Sequence, residues 1–96
     1  MRVVIIGAGV AGLGIGWRLA QRGVETLVLE RSQPGAGATW ASAGMIAAPH
    51  SGNLPDCEAQ LAHQGAKLWP EFAAQIEQAS RRPISYNVNG GLIMND

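Results

Sequence analysis

One glycine-rich segment, Gly7 to Gly12, constrains this chain more than any other feature, because it has the spacing G-x-G-x-x-G. The β-branched run from Val3 to Ile6 precedes it and reads as a buried parallel strand. Apolar residues at helical spacing follow it as far as about Arg22, and Gly23 stands where a helix C-cap belongs. The sequence therefore predicts a strand, a tight glycine turn and a helix in that order.

Each glycine of this turn has a physical task. Gly7 permits a sharp exit from the strand, and Gly9 lets a pyrophosphate approach the backbone. Gly12 lets the helix pack closely on the strand. The helix N-terminus then presents unpaired amides and a partial positive charge to the phosphates.

A second strand completes the pattern. The apolar run Thr26 to Leu29 ends at Glu30, which lies about twenty residues after the turn, where a carboxylate accepts hydrogen bonds from the ribose hydroxyls of a dinucleotide. Such an acid also repels a 2′-phosphate. The fold class predicted is α/β, with a right-handed β-α-β unit that starts a Rossmann-like dinucleotide-binding domain.

The rest of the chain alternates loops and one long helix. Residues 31–41 are rich in small residues and predict a loop that lies over the glycine turn, followed by one or two helical turns within residues 42–48. An amphipathic helix is predicted over residues 57–80, with a bend near Pro70. Two short strands, 84–88 and 92–94, are predicted to flank Asn89-Gly90-Gly91. In this interpretation residues 1–47 begin a cofactor-binding domain, and residues 48–96 contain a connecting loop, the helix and the start of a substrate domain.

The segment after the acid resembles a known family. Residues 30–47 read Glu-Arg-Ser-Gln-Pro-Gly-Ala-Gly-Ala-Thr-Trp-Ala-Ser-Ala-Gly-Met-Ile-Ala. This is similar to the D-amino acid oxidase-like flavoproteins, and within them to the glycine oxidases of thiamine biosynthesis. The resemblance extends over the amphipathic helix and the Asn-Gly-Gly step, and it implies FAD as the cofactor. A second small-residue loop fits a cofactor that continues past the glycine turn, because small residues leave backbone amides accessible.

The turn and the resemblance together predict the residues that bind FAD. By resemblance, Glu30 and Arg31 lie at the adenosine end, residues 39–42 lie along the phosphates and ribityl chain, and residues 43–45 approach the flavin. The predicted cofactor-binding residues are Gly7, Gly9, Val10, Ala11, Gly12, Glu30, Arg31, Ala38, Thr39, Ser42, Ala43, Gly44 and Met45. Two points stay open: Met45 and Ile46 either pack in a core or contact the flavin, and Trp40 either stacks near the cofactor or covers its loop.

The reaction that the resemblance implies is oxidation of a small amine or amino acid, such as glycine, sarcosine or a D-amino acid. The flavin takes a hydride equivalent, the imine hydrolyses to a 2-oxo acid and ammonia, and molecular oxygen is reduced to hydrogen peroxide. Alternatives are a D-amino acid dehydrogenase that uses a quinone, a sarcosine-type oxidase and a non-catalytic nucleotide-binding fragment. No catalytic residue is assigned. His50 is a candidate to line the entrance of the site, and His63 is expected to face solvent. No metal ligands are predicted.

Composition gives no indication of a nucleic-acid-binding protein, a disulfide-bonded protein or a membrane-spanning protein. Seven basic and seven acidic residues cancel, and no basic stripe predicts nucleic-acid binding. The single cysteine, Cys57, fits a reducing, cytoplasmic compartment, and no segment predicts a membrane span. Family members are several times longer, so we expect this chain to be the start of a longer protein that forms a homo-oligomer. Alone, it should be inactive, bind FAD poorly and leave both faces of its two strands incompletely shielded.

Overall fold

The computed structural model describes residues 1–46, 56–90 and 94. The chain divides into two compact units, Met1–Met45 and Ile46–Asp96. The first unit contains a parallel sheet with its crossover helix, and the second contains one long helix. The α/β class and the β-α-β start are therefore as the sequence predicts.

The first unit is built around two strands and the helix that connects them. Strand β1 (Arg2–Ile6) leads through the glycine turn into helix α1 (Val10–Gln21), and strand β2 (Glu25–Leu29) follows. The two strands pair in parallel, with Arg2 opposite Glu25 at one end. These two side chains also form an exposed ion pair of 2.7 Å, a type of contact that adds little stability.

Helix α1 ends just before Gly23, where the sequence predicts its C-terminus. Gly23 has a φ of +77°, in the left-handed region that favours glycine. Its amide donates to the carbonyl of Ala20 at 3.0 Å, and the amide of Val24 donates to the carbonyl of Leu19 at the same distance. These bonds satisfy carbonyls at the helix end and direct the chain into β2.

One face of the sheet packs against α1 because the helix presents a residue without a side chain there. Gly16 is buried, and a Cβ atom at this position would lie 3.2 Å from Val28 Cγ2 and 3.4 Å from Ile5 Cδ1. The close approach leaves Val3, Ile5, Thr26 and Val28 half-buried under the helix. The alternation of side chains along each strand puts the other apolar residues on the opposite face.

That opposite face is exposed within this unit. The exposed fractions are 52% for Val4, 88% for Ile6, 50% for Leu27 and 48% for Leu29. A parallel sheet normally has both faces covered. The expectation that two strands leave their apolar residues incompletely shielded is confirmed for this face.

The loop after β2 differs in detail from the prediction. One helical turn, α2 (Ala38–Ala41), lies inside residues 31–41, whereas residues 42–46 are not helical. Ser42 has extended backbone angles, and its hydroxyl donates to the carbonyl of Thr39 at 3.0 Å, which ends the turn. The predicted helical turns in 42–48 are therefore wrong for residues 42–46, and residues 47 and 48 lie outside the described part.

In the second unit, helix α3 (Asp56–Ser80) confirms the predicted long helix to within one residue at its start. Pro70 lies inside it, and the helix continues on both sides without being split. Proline has no amide proton, so the usual bond to the carbonyl four residues earlier is missing there. A bend at this position stays a prediction.

The C-terminal half of α3 carries the packing of this unit. Ala73 is 3% exposed, and the ring of Trp69 lies 5.5 Å from Phe72 and 6.4 Å from Tyr86, centroid to centroid. Tilted and edge-on arrangements at these distances are favourable for aromatic pairs. Trp69 and Phe72 therefore pack together in this unit, whereas Leu61 and Leu68 of the same helix are exposed.

The predicted strand at 84–88 is wrong: these residues have no regular structure. Ser85 has a φ of +52°, which no strand residue adopts, and the amide of Ile84 donates to the Glu77 carboxylate at 2.9 Å instead of to a ladder. Of the other predicted strand, residues 92 and 93 lie outside the described part, and Met94 is not in a strand.

The close packing of α1 can be tested by adding a methyl group at Gly12. A Cβ atom there would clash with the carbonyl oxygen of Gly7, which is backbone and cannot rotate away. We expect Gly12→Ala to lower the free energy of unfolding by about 2–4 kcal/mol, measured by denaturant unfolding of the full-length protein.

The matched control is Gly65→Ala in α3, where a Cβ atom would meet nothing within 4 Å. This substitution should raise the free energy of unfolding by up to about 1 kcal/mol, because alanine favours helix over glycine. Equal effects of the two substitutions would contradict the packing described for α1.

Candidate dinucleotide-binding site

The glycine turn continues the parallel ladder before it enters the helix. The amide of Gly7 donates to the carbonyl of Leu29 at 2.7 Å, so the turn starts in register with the end of β2. Gly7 has a φ of +106°, which other residues rarely adopt. The structure thus shows the sharp exit predicted for Gly7 and the close approach predicted for Gly12.

The first turn of α1 presents amides that the helix itself cannot satisfy. The first helical hydrogen bond of α1 is donated by the amide of Leu13 to the carbonyl of Gly9, four residues earlier, at 2.9 Å. The amide of Val10 donates to the hydroxyl oxygen of Thr39, also at 2.9 Å. The amides of Gly9, Ala11 and Gly12 have no acceptor among residues 1–46, 56–90 and 94. Such amides at a helix N-terminus are suited to an anion such as a phosphate.

Glu30, directly after β2, connects the glycine turn to the start of the loop that follows β2. Its Oε1 accepts a hydrogen bond from the amide of Ala8 at 3.0 Å, and its Oε2 accepts one from the amide of Ser32 at 2.9 Å. These two bonds, that of Ala8 first, lower the pKa of the Glu30 carboxyl, and the charge of Arg31 lowers it further. Glu30 is therefore anionic at neutral pH and fixed against the glycine turn.

The loop of residues 31–41, here called the second loop, lies over the turn as predicted. The amide of Gly35 donates to the carbonyl of Ala8 at 2.8 Å, and Thr39 bonds to Val10. Ala8, at 3% exposed, is buried between these contacts. The two loops are therefore joined directly by hydrogen bonds.

Gly9 has a second reason to lack a side chain. A Cβ atom there would lie 3.1 Å from the hydroxyl oxygen of Thr39, closer than most such contacts in proteins. The sequence indicates only that Gly9 lets phosphate approach. The structure adds that Gly9 leaves space for the second loop.

The other predicted site residues are more peripheral. Residues 42–45 are exposed, and no hydrogen bond within the described part joins Ala43, Gly44 or Met45 to the glycine turn. Trp40 is 83% exposed and Met45 is 85% exposed, so neither packs in a core within the first unit. His63 is exposed, as expected, and His50 lies outside the described residues.

Sequence reasoning missed three residues that organise the site. Ala8 contributes both an amide and a carbonyl, Gly35 donates to it, and Ser32 donates to Glu30. Ala8 is a variable position of the motif, so only its small size hinted at burial. Main-chain contacts of this kind leave no side-chain signature in a sequence.

No helix in the described ranges is both long and apolar enough to cross a membrane. Within the same ranges, no group of three or more histidine, cysteine or acidic side chains could hold a metal ion.

Comparison with known proteins adds a family and several relatives. A family model described as FAD dependent oxidoreductase matches residues 2–95. The glycine oxidase of Geobacillus kaustophilus is 34% identical over 91 residues, which are 95% of this chain and 24% of that protein. The glycine oxidase of Pseudomonas aeruginosa is 31% identical over 75 residues, which are 78% of this chain and 21% of that protein.

A further relative has a name that gives a different function. The tRNA 5-methylaminomethyl-2-thiouridine biosynthesis bifunctional protein MnmC of Chromohalobacter salexigens is 57% identical over 37 residues, which are 38% of this chain and 5% of that protein. The chain spans about a quarter of the length of the glycine oxidases that it matches. No solved structure matches it significantly.

The amide bonds to Glu30 predict a pH dependence. Because its pKa is lower in the folded than in the unfolded state, Glu30 stabilises the fold fully above the ordinary glutamate value of about 4.3. That contribution is lost as the pH falls through the lower folded value. We expect the Glu30 carboxyl to titrate below about 4.3 in an NMR titration of the full-length apoprotein.

The control for this titration is Glu30→Gln, which should reduce the loss of stability as the pH falls below the ordinary glutamate value of about 4.3. A Glu30 carboxyl that titrates at or above the ordinary value would show that the two amide bonds do not exist in solution.

Proposed function

This chain belongs to the family of FAD-dependent oxidoreductases whose model it matches over residues 2–95, and we propose that the whole protein oxidatively deaminates a small amine or amino acid. The family uses FAD as its cofactor. The observation that carries the proposal is the 34% identity to a glycine oxidase over 95% of the chain. Glycine, sarcosine and D-amino acids are the proposed substrates.

The residues of the glycine turn fit the pyrophosphate of FAD. The amides of Gly9, Ala11 and Gly12 have no acceptor within the described part of the chain, and they lie at the positive end of α1. Gly9 also carries no side chain that would keep a phosphate away from them. We propose that these amides bind the pyrophosphate, with Gly7 and Val10 shaping the turn.

Glu30 fits the ribose of the adenosine. Each of its carboxylate oxygens already accepts one amide bond, from Ala8 or Ser32. A carboxylate offers about four acceptor positions, so each oxygen can accept a second bond. The amide bonds thus orient the carboxylate while leaving it able to bind two ribose hydroxyls. Arg31, next in sequence, is proposed to lie at the same end.

The remaining proposed contacts lie further along the cofactor. Ala38, Thr39 and Ser42 would line the phosphates and the ribityl chain, and Ala43, Gly44 and Met45 would approach the flavin ring. The high exposure of residues 42–45 is compatible with a surface that a ligand covers. Contact with the flavin, rather than core packing, is therefore the role proposed for Met45.

Bound FAD supplies the acceptor for the hydride equivalent that leaves the carbon bearing the amine. The amine substrate becomes an imine, and water hydrolyses the imine to a carbonyl product and a released amine, which are a 2-oxo acid and ammonia for glycine and D-amino acids. Molecular oxygen takes up the two electrons and two protons as hydrogen peroxide. The described residues of this chain position the cofactor, and no catalytic role is assigned to any of them.

The substrate must be tested separately from the cofactor. A bifunctional protein of tRNA modification is 57% identical to this chain over 37 residues, so closely similar sequence occurs in a protein whose name gives another function. The family model therefore supports FAD more strongly than these identities support any one amine.

The cofactor assignment predicts that the full-length protein purifies yellow, with the absorption spectrum of an oxidised flavin. Replacing Glu30 with Gln should weaken FAD binding by roughly ten- to a hundredfold, the range expected for loss of a charge-assisted hydrogen bond. Fluorescence titration of the apoprotein with FAD measures this change.

Glu25→Gln is the matched control. It removes the same charge from the other end of β2, where Glu25 pairs with Arg2, and should leave FAD binding unchanged. A colourless protein that binds NAD tightly would contradict the FAD assignment, and an unchanged affinity in Glu30→Gln would contradict the role of Glu30.

The reaction predicts hydrogen peroxide in equal amount to the amine or amino acid that the full-length protein oxidises. A coupled peroxidase assay with glycine, sarcosine and D-amino acids measures this and identifies the preferred substrate. Turnover that requires a quinone and yields no peroxide would contradict the oxidase and favour a dehydrogenase.

A further inference from the structure

Helix α1 lacks the local cap that most helices have. Its N-cap residue is Gly9, which has no side chain and makes no capping bond. An N-cap side chain normally accepts a hydrogen bond from an amide of the first turn. In this chain the hydroxyl of Thr39 accepts the bond from the amide of Val10, from a position 29 residues later in the sequence.

This bond is one of three that join successive parts of the site. The Glu30 carboxylate and the Gly35 amide both bond to Ala8, and Thr39 bonds to Val10. The second loop and Glu30 thus bond to the turn at Ala8 and Val10. The amides of Gly9, Ala11 and Gly12, in contrast, have no acceptor among the described residues. The cross-loop bonds and the amides available for a ligand are therefore on different residues.

We propose that Thr39 is a positioning residue that caps α1 from the second loop and so fixes the glycine turn in the arrangement that receives the pyrophosphate. The inference rests on the proposed FAD binding, and it adds a role that exists before the cofactor binds. Preorganisation of this kind strengthens binding because less ordering remains to be done when the ligand arrives.

The local contacts favour a hydroxyl at this position. A hydroxyl oxygen can accept the Val10 bond and still donate its own proton to a phosphate oxygen. The absence of a side chain at Gly9 leaves the space that this oxygen occupies. Ser42 donates to the carbonyl of Thr39, which fixes the backbone of α2 at its end. A valine at position 39 would keep the shape but leave the Val10 amide without its acceptor.

The experiment compares Thr39→Val with Thr39→Ser in the full-length protein, with FAD affinity measured on the apoprotein. We expect Thr39→Val to weaken FAD binding by about fivefold or more, the effect of losing one helix cap, and Thr39→Ser to stay close to wild type. Thr26→Val is the matched control, because the Thr26 hydroxyl also bonds to a backbone group, the carbonyl of Val24 at 3.0 Å, but lies in β2 under the helix.

A second measurement separates positioning from direct contact with the cofactor. In wild-type apoprotein, the Val10 amide should exchange with deuterium more slowly than the Ala11 amide, which has no acceptor in the described part of the chain. In Thr39→Val the two amides should exchange alike, and Thr39→Ser should restore the difference. This readout needs no bound cofactor.

Several outcomes would overturn the inference. Equal exchange of the two amides in wild-type apoprotein would show that Thr39 does not cap the helix before FAD binds. FAD affinity unchanged in Thr39→Val, or lowered equally in Thr39→Ser or in Thr26→Val, would show that the hydroxyl at position 39 does not position the site. If the wild-type protein bound no FAD, the proposed function would fail, whereas the exchange result would still decide the cap.

Discussion

The contact between the start of helix α1 and the backbone of the glycine turn is the constraint on which this structure depends. Gly12 lies against the carbonyl of Gly7 so closely that no side chain fits between them. This approach brings the first turn of the helix to the end of β1, beside the end of β2. The helix amides, Glu30 and the second loop meet at one place because of it, and a longer separation of helix and strand would disperse them.

Around that contact, the site is organised mainly by backbone groups. Ala8 takes part through both its amide and its carbonyl, and Glu30 is oriented by two amides. Such bonds depend on the path of the chain and tolerate many side chains at the positions that provide them. Such a site can therefore persist while the surrounding sequence changes, and the two glycine oxidases are identical to this chain at about a third of the aligned positions.

The sequence predicted the parts of this structure that depend on local pattern. The glycine spacing, the two continuous apolar runs and the periodicity of α3 each depend on residues close together in sequence, and β1, α1, β2 and α3 formed where expected. The cross-loop bonds of Ala8 and Thr39 join residues far apart, and no spacing rule indicates them. The strand predicted at 84–88 was wrong for a related reason: its apolar residues suit a sheet, but the chain turns at Ser85 and Ile84 bonds to a helix side chain.

The exposed sheet face has a consequence for how such a protein is made. The β-α-β unit is complete by residue 30, so a growing chain can form it before the residues that follow are made. Val4, Ile6, Leu27 and Leu29 would then present an apolar strip beside unpaired strand edges. Until later residues cover this strip, such a nascent unit is open to mispairing with other chains.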